Sequence, residues 1–507
     1  MVINDQSDPF LRDFPLQFIC SYNFPLKQLS TFLKMPKISI LHISDLHKIP
    51  DTSYESLVQS LLDDRNSYVA QGVMSPNYIV VSGDLIQGGS TNDEIASQYS
   101  DVKTFLIRIC HEFLADDRGR LIIVPGNHDV SFPDSRLSMT PEATDNRLDN
   151  LKDMKSHNPE IRWKWDDFSF YKVTDKLRYS ERFQHFIRFY NDFYAGIRQY
   201  PDHATKEAEC IPFPEDKVAF TLFNSCDGLD HLNDSANIDE DALSSVMQDL
   251  RENFNSGFLN IGVWHHHYYG APFETNYLNR ERIAAMSHRF IRIGLFGHQH
   301  MSQVAEFFSG DLAFSEGQDN DKILLVSSGT LFGGSRELPY GCRRQYNIIE
   351  IDIKNGEADV VIHVREDHNV NVQSKIPYWG RKDFNPTGSI STKVSLKHLT
   401  EDEQIAQFVR YVKTNGAYVY GLEYMQSNGL TGGIFNKLRS DFLRNLKDDD
   451  YILHHLVPQT KEEYMLKIST AAKSGEASVK RALLTDPLLQ SYLEDPVIEE
   501  MYKQLSV

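Results

Sequence analysis

The chain has 507 residues and a formal net charge of −19, with a pI near 5.4. At about 150 residues per unit, this length predicts two to three units rather than one. An acidic surface repels polyanions at long range, which argues against non-specific duplex DNA binding as the main activity. Hydrophobic residues make up 41% of the chain, enough for a sizeable core. The five cysteines (Cys20, Cys110, Cys210, Cys226 and Cys342) are scattered and form no CxxC pair. That pattern argues against a disulfide framework or cysteine zinc site and fits a reducing compartment.

The N-terminal MVINDQSDPFLRDF lacks a basic segment followed by an apolar one, so no signal peptide is expected. No run approaches the ~18 apolar residues of a membrane span. The expectation is a soluble cytoplasmic protein without a membrane segment. Residues 1–36 read as an accessory extension, or as the product of an upstream start codon, ahead of the strand in MPKISILHISDLH.

From Ile38 onward, strand and helix patterns alternate. ISILHIS is a short apolar run and predicts a buried strand. SYESLVQSLLDDRNSYVAQG has helical spacing through Leu57, Leu61, Leu62 and Val69. YIVVSG, the helix EIASQYSDVKTFLIRICHEFL and RLIIVPG continue the series. Such stacking predicts βαβ units, whose sites gather at the carboxyl ends of the strands. The polar clusters SDLH, GDL and GNHD stand at those ends.

Residues 131–216 interrupt the pattern with an aromatic, basic segment, RWKWDDFSFYKVTDKLRYSERFQHFIRFYNDFYAGIRQY. It predicts one or two helices forming a cap. Phe183, Phe186, Phe189, Tyr190, Phe193 and Tyr194 fall at helical spacing and read as core. Arg162, Trp163, Lys164 and Trp165 combine groups that can stack a base and grip a phosphate. Strands resume at VAFTLFNS, FLNIGVW, FIRIGLFG and ILLVSSG. QYNIIEIDI and ADVVIHV, joined by KNGE, predict a hairpin. The strand-and-helix domain thus spans 37–375, residues 376–395 read as a linker, and 396–507 read as a helical domain.

In that last part Thr400 with Glu403, and Thr460 with Glu463, are capping boxes. Asp486-Pro487 and Asp495-Pro496 place a cap before a first-turn proline. GIFNKLRSDFLRNLK aligns Ile434, Leu438, Phe442 and Leu446 on one side, with Lys437, Arg439, Arg444 and Lys447 on the rest. That surface suits solvent, a partner protein, a second copy or nucleic acid.

Hydrolysing a phosphoester requires neutralising its phosphoryl oxygens and making water a nucleophile at neutral pH. Two divalent cations about 3.5–4 Å apart do both. Carboxylates and imidazoles that follow strands supply a donor set: Asp45 and His47, Asp84 after Gly83, Asn127 with His128 and Asp129, His265 to His267, then His298 and His300. Singly each is a weak signal. Their order and their placement at strand ends is a strong one.

The series SDLH, SGD, GNHD, HHH, GHQH resembles the signature of calcineurin-like metallophosphoesterases, over about residues 37–365. The resemblance implies a four-layer α/β/β/α sandwich, here with a cap insertion and a C-terminal helical subdomain. It implies that Asp45, His47 and His300 bind one metal, that Asn127, His266 and His298 bind the other, and that Asp84 bridges them. His128 becomes the leaving-group acid, and Asp129 orients it by a hydrogen bond. His266 is aligned as the ligand because the usual ligand lies two positions before a proline, here replaced by Tyr268; His265 is the next candidate.

The implied activity is phosphoester hydrolysis by a hydroxide that the metal pair activates. GNHD with GHQH, and Pro125 where protein phosphatases usually carry arginine, point to a phosphodiesterase acting on a nucleotide or cyclic nucleotide. The alternatives are a nuclease for single-stranded or duplex nucleic acid, a phosphomonoesterase, and a binding protein that kept the fold. Manganese suits the mixed oxygen and nitrogen donors, with iron, zinc and magnesium as alternatives.

Overall fold

The computed structural model describes residues 37–505 apart from 48–53, 143–148, 152–159, 202–207, 271–274, 309–321, 333–336, 355, 370–375, 397–408, 410–411, 414–415 and 428–432. The N-terminal extension and the Thr400 capping box therefore lie outside the described residues. The chain divides at Lys397 and His398 into two compact units.

Strands are numbered along the chain. In the first unit β1 (Lys37–Ile43), β2 (Tyr78–Ser82) and β3 (Leu121–Val124) run parallel, joined by the helices Tyr54–Gln71 and Asn92–Leu114. The second helix starts on Thr91, whose side chain accepts the Glu94 N–H, and acidic Asp93 and Glu94 occupy its first turn. Both features suit the positive end of a helix.

A second sheet holds β7 (Glu209–Phe213), β8 (Val218–Leu222), β9 (Leu259–Val263), β10 (Ile291–Phe296), β11 (Gln303–Phe308) and β12 (Lys322–Ser327), in the order β11-β12-β10-β9-β8-β7. The hairpin β13 (Gln345–Lys354) and β14 (Glu357–Asp367) returns to the first sheet, with β13 antiparallel to β1 and Ile40 facing Ile349. Alternation along each strand sorts its side chains into two cores. Ile38, Ile40, Val80 and Ile122 share one apolar cluster with Phe220, Ile261, Leu295 and Leu324 of the other sheet. Leu41, Ile43, Val81 and Ile123 pack instead with Leu57, Leu61, Phe105 and Ile109 from the two helices. Burial on both faces explains why these strands read as unbroken apolar runs.

Three expectations need correction in this unit. Residues 376–395 are not a linker, for β15 (Trp379–Arg381) and β16 (Ser389–Ser395) both pair with β14 and extend the first sheet. Asn385, Pro386 and Gly388 mark the turn between them. The segment RWKWDDFSFYKV is not helical. It forms the hairpin β5 (Ile161–Lys164) and β6 (Ser169–Val173), joined by β4 (Met139–Pro141) in a small sheet. The turn is made at Trp165–Phe168, with Phe168 at a φ of 52°. The helix Gln184–Tyr194 forms as its spacing predicts, and Phe186, Phe189, Tyr190, Phe193 and Tyr194 are core residues, packed beside the helix Asn92–Leu114. Finally, Val69 is 84% exposed, and Tyr68, seven residues after Leu61, holds the buried face instead.

The second unit, His398–Val507, contains the helices Tyr418–Ser427, Gly433–Asn445, Lys461–Ser474, Ala477–Leu484 and Pro496–Leu505. Thr460 caps the third by accepting the Glu463 N–H, and Asp486 accepts the N–H groups of Leu488 and Leu489. Arg439 is not on the solvent face. It is 5% exposed and donates to Glu463 at 2.7 Å. Among the described residues, no helix is long and apolar enough to cross a membrane.

Candidate metal centre

The candidate ligands stand where chains leave the two sheets: Asp45 and His47 after β1, Asp84 after β2, Asn127 after β3, His265 after β9, and His298 and His300 after β10. Eleven non-glycine residues among the described ones have positive φ, and five of them are Asp45, His47, Asp84, His298 and His300. That conformation costs about 1–2 kcal/mol per residue for an L side chain. Its concentration here marks a place where the fold trades backbone ease for side-chain convergence.

Two glycines are required by close approach. A Cβ on Gly126 would lie 2.1 Å from Asp84 Oδ1, and one on Gly83 would lie 2.6 Å from His265 Nδ1. The glycines of GNHD and SGD let three chain segments touch.

The side chains converge on Asp84. Its Oδ2 is 3.3 Å from His47 Nε2 and 3.2 Å from His265 Nε2. Asp45 Oδ1 lies 3.7 Å from His47 Nε2 and 3.3 Å from His300 Nε2. On the far side, Asn127 Oδ1 is 3.0 Å from His265 Nε2 and 3.1 Å from His298 Nδ1. Backbone groups hold the carboxylates: Asp84 Oδ1 accepts the His128 N–H, and Asp45 Oδ2 accepts the His298 N–H. His265 Nδ1 meets the Ser82 carbonyl at 2.8 Å and His300 Nδ1 the Glu337 carbonyl at 2.7 Å, leaving each Nε2 for the centre.

His266, expected at this position, packs its ring 4.7 Å from that of His298, and its Nε2 is buried without a hydrogen-bond partner. Ser225 Oγ accepts the backbone N–H groups of His265 and His266 and lies 2.8 Å from His266 Nδ1. The exit of β9 thus turns His265, not His266, toward the two carboxylates. Ser225 escaped sequence reading, although it follows a strand in FNS as the ligands follow theirs.

Asp129 was expected to orient His128 and does not. Its Oδ2 accepts the N–H groups of Gly126 and Leu85, and Tyr99 donates to its Oδ1 at 2.9 Å. It staples the GNHD loop to the GD loop, and burial with nearby Asp84 pushes its carboxyl up to about 7. His128 Nδ1 meets the Gln87 carbonyl at 3.0 Å instead. Backbone partners of this kind leave no residue-type signal.

Charge balance asks for cations here. Burial pushes the buried carboxyls up, yet the surrounding imidazoles outweigh it and hold Asp45 and Asp84 well below the usual carboxylate range. Burial pushes His47 and His265 down, but Asp45 and Asp84 outweigh it and raise them to about 10 and about 9. Asp45 Oδ1 and His47 Nε2 are buried without a hydrogen-bond partner. Three groups, Asp45–His47–His300, His47–Asp84–His128 and Asp45–Asp84–His265, bring their donor atoms within 4.8 Å of one another. Orphaned buried donors, two carboxylates and mixed oxygen and nitrogen chemistry fit divalent cations.

The family model for calcineurin-like phosphoesterases matches residues 38–302. The chain belongs to the calcineurin-like phosphoesterase family. Membership makes it a binuclear metallophosphoesterase, an enzyme that hydrolyses phosphoesters with two divalent metal ions. No curated protein matches the chain. It is similar to solved structures of PhoD (11% identity, TM-score 0.41, 72% of this chain and 71% of that one) and of a dimetal phosphatase from Danio rerio (10%, 0.37, 71% and 100%). It is also similar to the calcineurin-like phosphoesterase YfkN from Bacillus subtilis (12%, 0.27, 77% and 99%).

Proposed function

We propose that this phosphoesterase is a phosphodiesterase whose substrate is a nucleotide or cyclic nucleotide. Its ligands are Asp45, His47, Asp84 and His300 at one metal position, and Asp84, Asn127, His265 and His298 at the other. One observation carries the assignment: Asp84 Oδ2 stands between His47 Nε2 and His265 Nε2, at 3.3 and 3.2 Å, where a bridging carboxylate belongs. Two divalent cations held there would neutralise phosphoryl charge and make water nucleophilic at neutral pH. His128, with Nδ1 committed to the Gln87 carbonyl, offers Nε2 to the leaving-group oxygen. Asp129 and Tyr99 keep its loop in place. The mixed donor set favours manganese, with iron, zinc and magnesium as alternatives.

A net charge of −19 favours a small nucleotide over a long polyanion. The second reading is a nuclease for single strands. It is favoured by Trp165 and Phe168, 74% and 61% exposed on the β5–β6 turn beside Lys164. Arg162 is not available to it, because it donates to Asp230 at 2.7 Å inside the fold. The second unit contributes none of the candidate ligands, which supports a role in substrate selection or in contact with a partner protein or second copy. The free thiols of Cys110, Cys210, Cys226 and Cys342 support a cytoplasmic enzyme.

The test is a panel of aryl monoesters, aryl diesters, cyclic nucleotides, dinucleotides and single- and double-stranded nucleic acids, with manganese-loaded protein. Turnover of nucleotide diesters with little salt dependence supports the first reading. Cleavage of single strands that collapses with added salt supports the second. Hydrolysis confined to monoesters overturns both.

A further inference from the structure

His128 is oriented by the Gln87 carbonyl, and that carbonyl is itself held. Gln98, on the helix Asn92–Leu114, accepts the Gln87 N–H on Oε1 at 2.9 Å and donates from Nε2 to the Gly88 carbonyl at 2.7 Å. A carboxamide carries an acceptor and a donor side by side, so one side chain grips both groups. The Gln87 carbonyl lies between the two gripped groups and meets His128 Nδ1 at 3.0 Å.

The grip has a purpose that local sequence explains. Gly88 sits at a φ of +78°, and glycine tolerates either sign of φ. The peptide joining Gln87 to Gly88 is therefore free to flip at small cost, as in turns that differ by one peptide rotation. A flip would swing the Gln87 oxygen away from His128 and release the ring. Gln98 opposes it from outside the loop, without touching the metal ligands.

We propose that Gln98 is a positioning residue for His128, acting through the Gln87–Gly88 peptide. This rests on His128 being the leaving-group acid, as proposed above. In that step a water oxygen bonds to phosphorus and sheds a proton to solvent. The bond from phosphorus to the leaving oxygen breaks, that oxygen takes the Nε2 proton of His128, and solvent returns a proton to the ring. Nδ1–H stays on the Gln87 carbonyl throughout. A ring without that anchor delivers its proton poorly, and the deficit grows with the basicity of the leaving group.

The experiment compares Gln98→Ala and Gln98→Glu with the unaltered, manganese-loaded protein on aryl methyl phosphodiesters and aryl phosphomonoesters, from p-nitrophenyl to phenyl. Gln98→Glu is nearly the same size but loses the donor to Gly88. General acid catalysis is worth about 10²–10⁴-fold, so kcat on phenyl esters should fall about 10- to 100-fold. With p-nitrophenyl, which needs little protonation, the fall should be about threefold or less. KM, bound manganese and the thermal midpoint should hold. Equal loss across the series, or no loss, overturns the inference. His128→Ala is measured alongside. If it shows the steep leaving-group dependence and the Gln98 variants do not, the inference alone falls. If it shows none, the role proposed for His128 falls and takes the inference with it.

Discussion

His265 Nε2 stands 3.2 Å from Asp84 Oδ2, while the adjacent His266 turns its Nδ1 to the Ser225 hydroxyl. Three consecutive histidines thus divide their roles by the direction in which β9 ends. His265→Ala should reduce bound manganese from two ions per chain toward one and remove activity. His266→Ala should keep both ions. Elemental analysis of the purified variants after gel filtration checks this, and the reverse pattern would return the ligand role to His266.

His128→Ala should lower kcat by about 10²–10⁴-fold, the usual worth of a general acid. Its side chain meets a backbone carbonyl at Nδ1. Metal content should therefore stay at the level of the unaltered protein. Parallel loss of metal and turnover would show that His128 is a ligand instead.

Gly126→Ala tests the close approach of the GNHD and GD loops. The added methyl would lie 2.1 Å from Asp84 Oδ1, so one loop has to move. Overpacking of this kind costs about 1–3 kcal/mol. The thermal midpoint should fall and manganese affinity should weaken together. An unchanged affinity would show that Asp84 tolerates displacement.

Glu350 provides a pH signal away from the centre. Burial pushes its carboxyl up, but His363, the Met74 N–H and Lys37 outweigh it and bring the group down to about 2 in the folded chain, from an ordinary 4.5. The unfolded chain binds the proton first as pH falls, so this stabilisation is complete above about pH 5 and fades toward pH 2. With metal chelated throughout, Glu350→Gln should lose less stability than the parent protein across that window. Parallel curves for the two proteins would contradict the assignment.

Asp64 and Arg365 tie the helix Tyr54–Gln71 to β14, with Arg365 Nε donating to Asp64 Oδ2 at 2.8 Å inside the fold. Removing one partner of a buried pair costs about 3–5 kcal/mol, because the other charge is stranded. Asp64→Ala should show a loss of that size in denaturant unfolding. Adding Arg365→Met should recover most of it, and a double variant no better than the single one would place the cost elsewhere.

Amino-acid order alone determined the alternating strands and helices of the first unit, and the donor set at their ends. Both are local: a strand's alternation is written in adjacent residues, and a ligand that follows its strand carries its own type. Asp45, His47, Asp84, Asn127, His298 and His300 stand at strand ends, where the local pattern placed them. Folding decided what depends on distant partners. His265 was brought to Asp84 and His266 to Ser225, and Asp129 was drawn to Tyr99, Leu85 and Gly126 rather than to His128. The strands within 376–395 needed β14 beside them, and Arg439 needed Glu463. A side chain's chemistry is fixed by its type, but its hydrogen-bond partner is fixed by which segments meet, and segments far apart in the chain meet only in three dimensions.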